Sequence, residues 1–202
     1  MVKKDKKQKN RVLKQKLKQI SVGIAGLGGL GSNVAVALAR EGIGKLVLVD
    51  FDKIEKSNLN RQYYFLDQIG KLKTEVLKEN IQRINPNVEL QVFNQKLEKG
   101  SMETLFKDVD IVVEALDKAE IKTDFIEEIM LKLPGKPLVA ASGVAGVGKS
   151  DRIHTKKTGN LYMVYDEHAE SSEEDLLIGA RVGLIANWQA NIVLELIMEE
   201  KV

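Results

Sequence analysis

Val22-Gly23-Ile24-Ala25-Gly26-Leu27-Gly28-Gly29-Leu30-Gly31-Ser32 decides how the rest of this chain is read. An apolar run ends in a glycine turn, and a helical pattern dense in Ala and Val follows at once over residues 30–40. A phosphate-binding strand–turn–helix requires that order. Gly26 permits the tight turn, Gly28 with Gly29 beside it lets backbone approach a phosphate, and Gly31 permits close helix–strand packing. The N–H groups opening the helix point at an anion, and the helix dipole favours it. The stretch says nucleotide; it names neither the nucleotide nor the reaction.

Working outward, residues 20–25 form the strand before the turn, and their near-continuous apolar character fits a parallel strand covered on both faces. Residues 45–50 form a second strand, closed by Asp50 nineteen positions after Gly31. A carboxylate about twenty residues beyond the glycines, at the end of the next strand, is placed for a ribose hydroxyl. Further strands are expected at 88–94, 110–116, 137–141 and 161–165, with helices at 97–106, 119–131 and 179–200. The pattern predicts an α/β fold: a Rossmann-like, doubly wound, mostly parallel sheet with helices on both faces. A second glycine loop, residues 142–148, reads either as a tight structural loop or as a substrate wall.

Residues 52–62 are polar and without apolar period, a loop carrying Asn58, Arg61 and Gln62. Gly70-Lys71-Leu72-Lys73 then opens a helix running to about residue 84, ahead of Asn85-Pro86. A cation in a first helical turn is unfavourable by some tenths of a kcal/mol, and an anionic ligand there would offset that. Asp117 closes the fourth strand, at the edge where open α/β sheets bind ligands. A carboxylate there, close to bound phosphates, suits magnesium.

Composition narrows the classes. Hydrophobic residues at 44% and charged residues at 30% describe a globular chain, and no apolar run approaches the length of a membrane span. The N-terminus lacks a signal-peptide core, which leads to the expectation of a cytoplasmic protein. There is no cysteine, so no thioester, persulfide or disulfide and no thiolate for zinc. His154 and His168 lie apart without metal-ligand spacing. Residues 1–18 carry nine Lys/Arg against Asp5 alone, a local +8; the whole chain is +2, so the remainder is 2 − 8 = −6. That basic arm lacks interleaved aromatics and reads as a solvated, partly helical tail, with no nucleic-acid role. Residues 166–175 hold six acids in ten and read as a solvated loop.

With these residues in place, the chain resembles the ThiF/MoeB-type adenylyltransferases, relatives of the ubiquitin-activating enzymes. The marks are Gly26–Ser32, Val49-Asp50-Phe51-Asp52, Ser57-Asn58-Leu59-Asn60-Arg61-Gln62, Gly70-x-x-Lys73 and Asp117. Together they span a single domain over 19–202 behind the 1–18 arm. The length and the loop at 141–146 look most like the compact group linked to thiamine biosynthesis. The resemblance implies ATP and Mg2+ as cofactors, with a ubiquitin-like sulfur-carrier protein as partner. Its C-terminal Gly-Gly carboxylate would be adenylylated with release of pyrophosphate. Asp50, with Asp52 beside it, would bind the ribose side of ATP; Asn58, Arg61 and Lys73 the phosphates; Asp117 the magnesium. It also implies a homodimer, with an N-terminal arginine lent across the interface, for which Arg11 is the candidate. The chain departs from the pattern in lacking the paired Cys-x-x-Cys zinc site and the sulfur-bearing cysteine, and in having Lys118 where the family usually has Asn.

Two other functions fit parts of the pattern. An NAD-dependent oxidoreductase accounts for the glycines and Asp50 and leaves Arg61, Lys73 and Asp117 without a role. A non-catalytic nucleotide-binding scaffold accounts for binding without turnover.

Overall fold

The computed structural model describes residues 11–169 and 177–199. Helix α1 occupies residues 11–17. The glycine turn lies between β1 (Ser21–Ala25) and α2 (Gly29–Glu41), and β2 (Lys45–Asp50) follows. Helix α3 (Lys73–Ile84) leads to β3 (Glu89–Asn94), and β4 (Ile111–Glu114) is followed by α4 (Ala119–Lys132) and β5 (Leu138–Ser142). A hairpin of β6 (Ile153–Thr158) and β7 (Leu161–Asp166) precedes the long helix α5 (Gly179–Met198).

The seven strands form one sheet in the order β3-β2-β1-β4-β5-β7-β6. All neighbours pair in parallel except β6 with β7. The chain runs from β1 outward to β2 and β3, then returns to β4 on the other side of β1. The strand order therefore reverses between β1 and β4, the crevice where open α/β sheets bind ligands.

Alternation along the strands sends side chains to two cores. Val22 and Ile24, Leu46 and Leu48, and Ile111 and Val113 join the core under α2, α3 and α5. Val47, Val49 and Val112 face the opposite side, where Phe106, Phe125 and Ile129 pack. Both faces are thus covered, which is why these strands read as unbroken apolar runs. Leu17 of α1 is buried in the first core, so the last turn of the basic segment belongs to the packed fold. The expected tail at residues 1–10 lies outside the described residues.

Three expectations change. The helix expected at 97–106 is only a short 3-10 turn, Met102–Leu105, because Gly100 takes a left-handed φ of 95° just before it. Strand β6 was not expected at all. It is the sheet edge, exposed everywhere but Ile153, so burial imposes no alternation on it. The acidic loop at 166–175 begins inside β7 with a buried Asp166, and residues 170–175 lie outside the described residues.

Glu128 ties the short turn to α4. Its carboxylate accepts the Gly100 and Met102 N–H groups at 2.6 and 2.7 Å, and Lys132 lies 3.1 Å away. Burial works to raise its pKa, but the Glu103 side chain, these two N–H groups and the Lys132 ammonium hold it at about 2. The folded value lies below the ordinary 4.5, so this group stabilises the fold above pH 4.5 and the contribution fades as pH falls toward 2. Glu128→Gln is expected to flatten the acid limb of the melting temperature in that window, measured by thermal denaturation at stepped pH.

Candidate functional site

Only glycine fits at two positions of the turn. Gly26 takes φ +88°, and a Cβ on it would lie 2.6 Å from the Ala115 carbonyl oxygen. A Cβ on Gly31 would overlap the Gly26 carbonyl oxygen. The first turn of α2 thereby lies flat against the ends of β1 and β4. Gly28 faces open space apart from the Gln62 side chain at 3.8 Å. Helix α2 has no side-chain cap and no acid in its first turn, so its positive end is open toward that space.

The loop after β2 is stitched to this turn. Ser32 Oγ accepts the Tyr63 N–H at 3.0 Å and donates to the Gly28 carbonyl at 2.6 Å. Asn33 Nδ2 donates to the Gly29 and Arg61 carbonyls at 2.7 and 2.9 Å. Tyr64, buried, donates its hydroxyl to the Leu27 carbonyl at 2.9 Å. Burial, with the Asp50 and Asp52 carboxylates, pushes that phenol well above its usual range, so it remains a donor. The result places Arg61 over Gly29, its Cγ 3.5 Å from where a Gly29 Cβ would stand. Arg61 Nη1 donates to Ser57 O and Asn60 Oδ1, both at 2.9 Å.

Asp50 closes β2 and is buried, with one oxygen accepting the Leu27 N–H at 2.6 Å and the other the Asp52 N–H at 2.8 Å. It thus fixes the glycine turn. An ionised carboxylate has about four acceptor positions, so capacity remains for a hydroxyl. Asn58 is turned inward: its Oδ1 accepts the Glu55 N–H at 3.0 Å and closes the 3-10 turn Lys56–Asn58. In this structure that oxygen shapes the loop carrying Arg61. Lys73 opens α3 as expected, but the anion beside it is internal: Asp52 Oδ2 lies 2.8 Å from Nζ. Asp52 thus supplies from within the chain the anion that was expected from a ligand. Lys73 is nearly buried while Asp52 is 45% exposed, so the pair opens toward solvent on the Asp52 side.

Asp117 sits beyond β4, just before α4, exposed and without a hydrogen-bond or ion-pair partner among the described residues. Its loop leans on the glycine turn, since the Ala115 N–H donates to Ala25 O at 2.8 Å. Among the described residues no group of three or more His, Asp or Glu could hold a metal ion unaided. One free carboxylate suits magnesium, which is bound through one or two carboxylates plus the phosphates of a nucleotide. Arg11 lies exposed on α1.

Sequence reading missed Ser32 and Asn33 as loop anchors, and it missed Tyr64. It also missed the placement of Gln62, whose buried Oε1 has no partner and whose Nε2 stands beside Gly28. The polar pair Ser32-Asn33 at the start of an otherwise apolar helix was the available signal. Helix α5 also reaches the site: Val182 packs on Gly29, and Asn60 Nδ2 donates to Leu177 O at 3.2 Å.

The chain is 29% identical over 191 residues to the adenylyltransferase and sulfurtransferase UBA4 of Vanderwaltozyma polyspora, covering 91% of this chain and 43% of that protein. It is 38% identical over 113 residues to the tRNA threonylcarbamoyladenosine dehydratase of Haemophilus influenzae, covering 55% of this chain and 43% of that protein. The chain thus spans less than half the length of these curated relatives. Its fold matches the crystal structure of the E. coli tRNA N6-threonylcarbamoyladenosine dehydratase TcdA in complex with ATP. The TM-score is 0.85 at 22% identity, covering 96% of this chain and 93% of that one. The glycine turn, the loop stitched to it, Lys73 and Asp117 all fall within residues 6–202, which match the ThiF family description in one continuous stretch, and the chain belongs to the ThiF family.

Proposed function

We propose that this chain is an ATP-dependent adenylyltransferase that activates the C-terminal Gly-Gly carboxylate of a ubiquitin-like sulfur-carrier protein. The observation that carries the reading is the company kept by the glycine turn. Arg61 lies over Gly29, Lys73 opens the neighbouring helix, and a partnerless Asp117 stands across the strand-order reversal. These groups suit a triphosphate, and the E. coli protein with the matching fold has been crystallised with ATP and with AMP.

In this reading Asp50 receives the ribose, and the α2 N-terminus with Gly28 and Gly29 lies under the phosphates. Asn58 and Arg61 contact the phosphates from the loop side, and Lys73 from the start of α3, with Asp52 holding its ammonium in place. A carboxylate oxygen of the carrier attacks the α-phosphorus, the bond to the bridging oxygen breaks, and pyrophosphate departs, leaving an acyl-adenylate. The nucleophile is ionised at neutral pH, so no general base is required. Arg61 and Lys73 offset the approach of two anions and the charge that develops on the leaving group. Asp117 would hold Mg2+, which when bound supplies further neutralisation of phosphate charge.

Thiamine-type sulfur transfer, a homodimer, and a cytoplasmic site of action belong to this reading, as does a single catalytic domain over 19–202. No helix among the described residues is long and apolar enough to cross a membrane. Phe65, Leu66 and Ile69 expose apolar side chains within one short stretch beside the site, which supports a second copy docking there and presenting its Arg11. The chain has no cysteine, so the sulfur comes from elsewhere.

One observation favours a second substrate. The tRNA-modifying TcdA fold is covered almost end to end, whereas the UBA4 match covers 43% of that protein. Under that reading the acceptor is a tRNA, and the +8 charge of residues 1–18 would meet its phosphates. Titration of the purified chain with ATP, with and without Mg2+, and with NAD tests the nucleotide. ATP is expected to bind, more tightly with Mg2+, and Asp117→Ala should abolish the magnesium increment. Binding of NAD in preference to ATP would overturn the reading. ATP turnover driven by a Gly-Gly-ending carrier protein against turnover driven by tRNA separates the two acceptors.

A further inference from the structure

Glu114 is fully buried at the end of β4, three residues before Asp117, and the proposed chemistry gives it no role. Its Oε1 accepts the Leu116 N–H at 2.7 Å, and its Oε2 meets Lys122 Nζ at 2.5 Å. Lys122, in α4, also donates to Ala141 O of β5 at 3.0 Å. Gln189 of α5 donates to the Glu114 carbonyl at 3.0 Å. One pair, its carboxylate fully buried and its ammonium partly so, therefore joins β4, β5 and α4, and a neighbouring amide adds α5. Burying two charges is costly, and apolar residues of similar size commonly hold a core as well or better. What an apolar pair could not do is fix both ends of the loop 115–118 with directional bonds. Leu116 N–H fastens its start, and Lys122 fastens the helix that begins just after Lys118. Asp117 lies between the two fastenings.

We infer that the Glu114–Lys122 pair is a positioning device that holds Asp117 where its carboxylate meets the magnesium–nucleotide complex. This rests on the adenylylation reading and concerns the same site. Lys122 touches neither nucleotide nor metal; it acts through Asp117.

The test is calorimetric titration of the full chain with ATP, once in excess magnesium and once in chelator, with thermal melting as the control for folding. Lys122→Met is expected to weaken binding in magnesium by about ten- to a hundredfold, the usual effect of removing a group that orients a metal ligand. Binding in chelator should change by less than about twofold, and Lys122→Arg should restore most of the loss. In an Asp117→Ala background, Lys122→Met should add less than about twofold, because a residue acting through another has nothing left to act on. Equal losses in magnesium and chelator, or additive losses in the Asp117→Ala background, would overturn the inference. Should Lys122→Met fail to fold, Glu114→Gln carries the same comparison with the same two outcomes. Absence of ATP binding by the unmodified chain would overturn the adenylylation reading and this inference with it. Normal ATP binding with additive losses would overturn this inference alone.

Discussion

Arg61→Ala and Lys73→Ala should each lower the rate of adenylate formation by about 10²–10³-fold, or about 2.7–4 kcal/mol of transition-state stabilisation. That is the scale for deleting one preorganised donor aimed at developing charge. Arg61→Ala should leave the fold nearly untouched, and Lys73→Ala should leave the chain folded. Among the described residues the Arg61 side chain donates only to Ser57 O and Asn60 Oδ1, both at exposed positions. Removing Lys73 leaves an Asp52 carboxylate that is 45% exposed and can be hydrated. The Arg61 variant should therefore melt nearly unchanged, and the Lys73 variant should lose the packing of its nearly buried stem, about 1–3 kcal/mol, while turnover collapses in both. Rate and stability measured together on each variant check this.

The largest stability effect is expected elsewhere. Arg181, in the first turn of α5, meets Asp166 Oδ2 at 2.5 Å and donates to Gly148 O at 2.7 Å; both members of the ion pair are buried. A cation at a helix N-terminus is unfavourable, so Asp166 is what makes this position tenable. Burial works to raise the Asp166 pKa, but the His168 N–H and the Arg181 guanidinium hold it below its ordinary value. Arg181→Met strands that carboxylate, which should cost about 3–5 kcal/mol by denaturant unfolding. Asp166→Asn combined with Arg181→Met should recover much of the loss, since neither charge is then left alone. A lowered carboxylate pKa stabilises above the unfolded value and loses that contribution as pH falls through the folded one. The single variant's deficit should therefore shrink as pH falls, because its stranded Asp166 protonates and the unmodified chain loses the pair's contribution. This pair also anchors the second glycine loop to α5 through Gly148.

What could be read from the sequence, and what could not, follows from how far apart the partners lie. The placement of Gly26, Gly28, Gly31 and Asp50 is legible because it depends on short fixed spacing around one strand–turn–helix unit. Asp117 is legible because a strand end in a parallel sheet has a known side. The partner of Lys73 is not, since Asp52 reaches it only after the intervening loop folds back, joining Lys53 to Leu72 and Lys73 N to Asp52 O. That Asn58 Oδ1 accepts the Glu55 N–H and so shapes the loop is not legible from its motif either. Strand β6 escaped notice because an edge strand buries almost nothing, although Gly159-Asn160 between two short runs is a hairpin signal. The Glu114–Lys122 pair reads in sequence as two unremarkable charges. Only the packing of β4, β5 and α4 makes it a junction around a buried carboxylate.

In the proposed reaction the glycine turn, Arg61, Lys73 and Asp117 activate a carboxylate with ATP. Acceptor-dependent exchange of labelled pyrophosphate into ATP tests it most directly. Exchange is expected from the unmodified chain only with ATP, magnesium and the acceptor present, falling about a hundredfold or more in Arg61→Ala and Lys73→Ala and lost in Asp117→Ala. Exchange near the unmodified level in all three variants would contradict it.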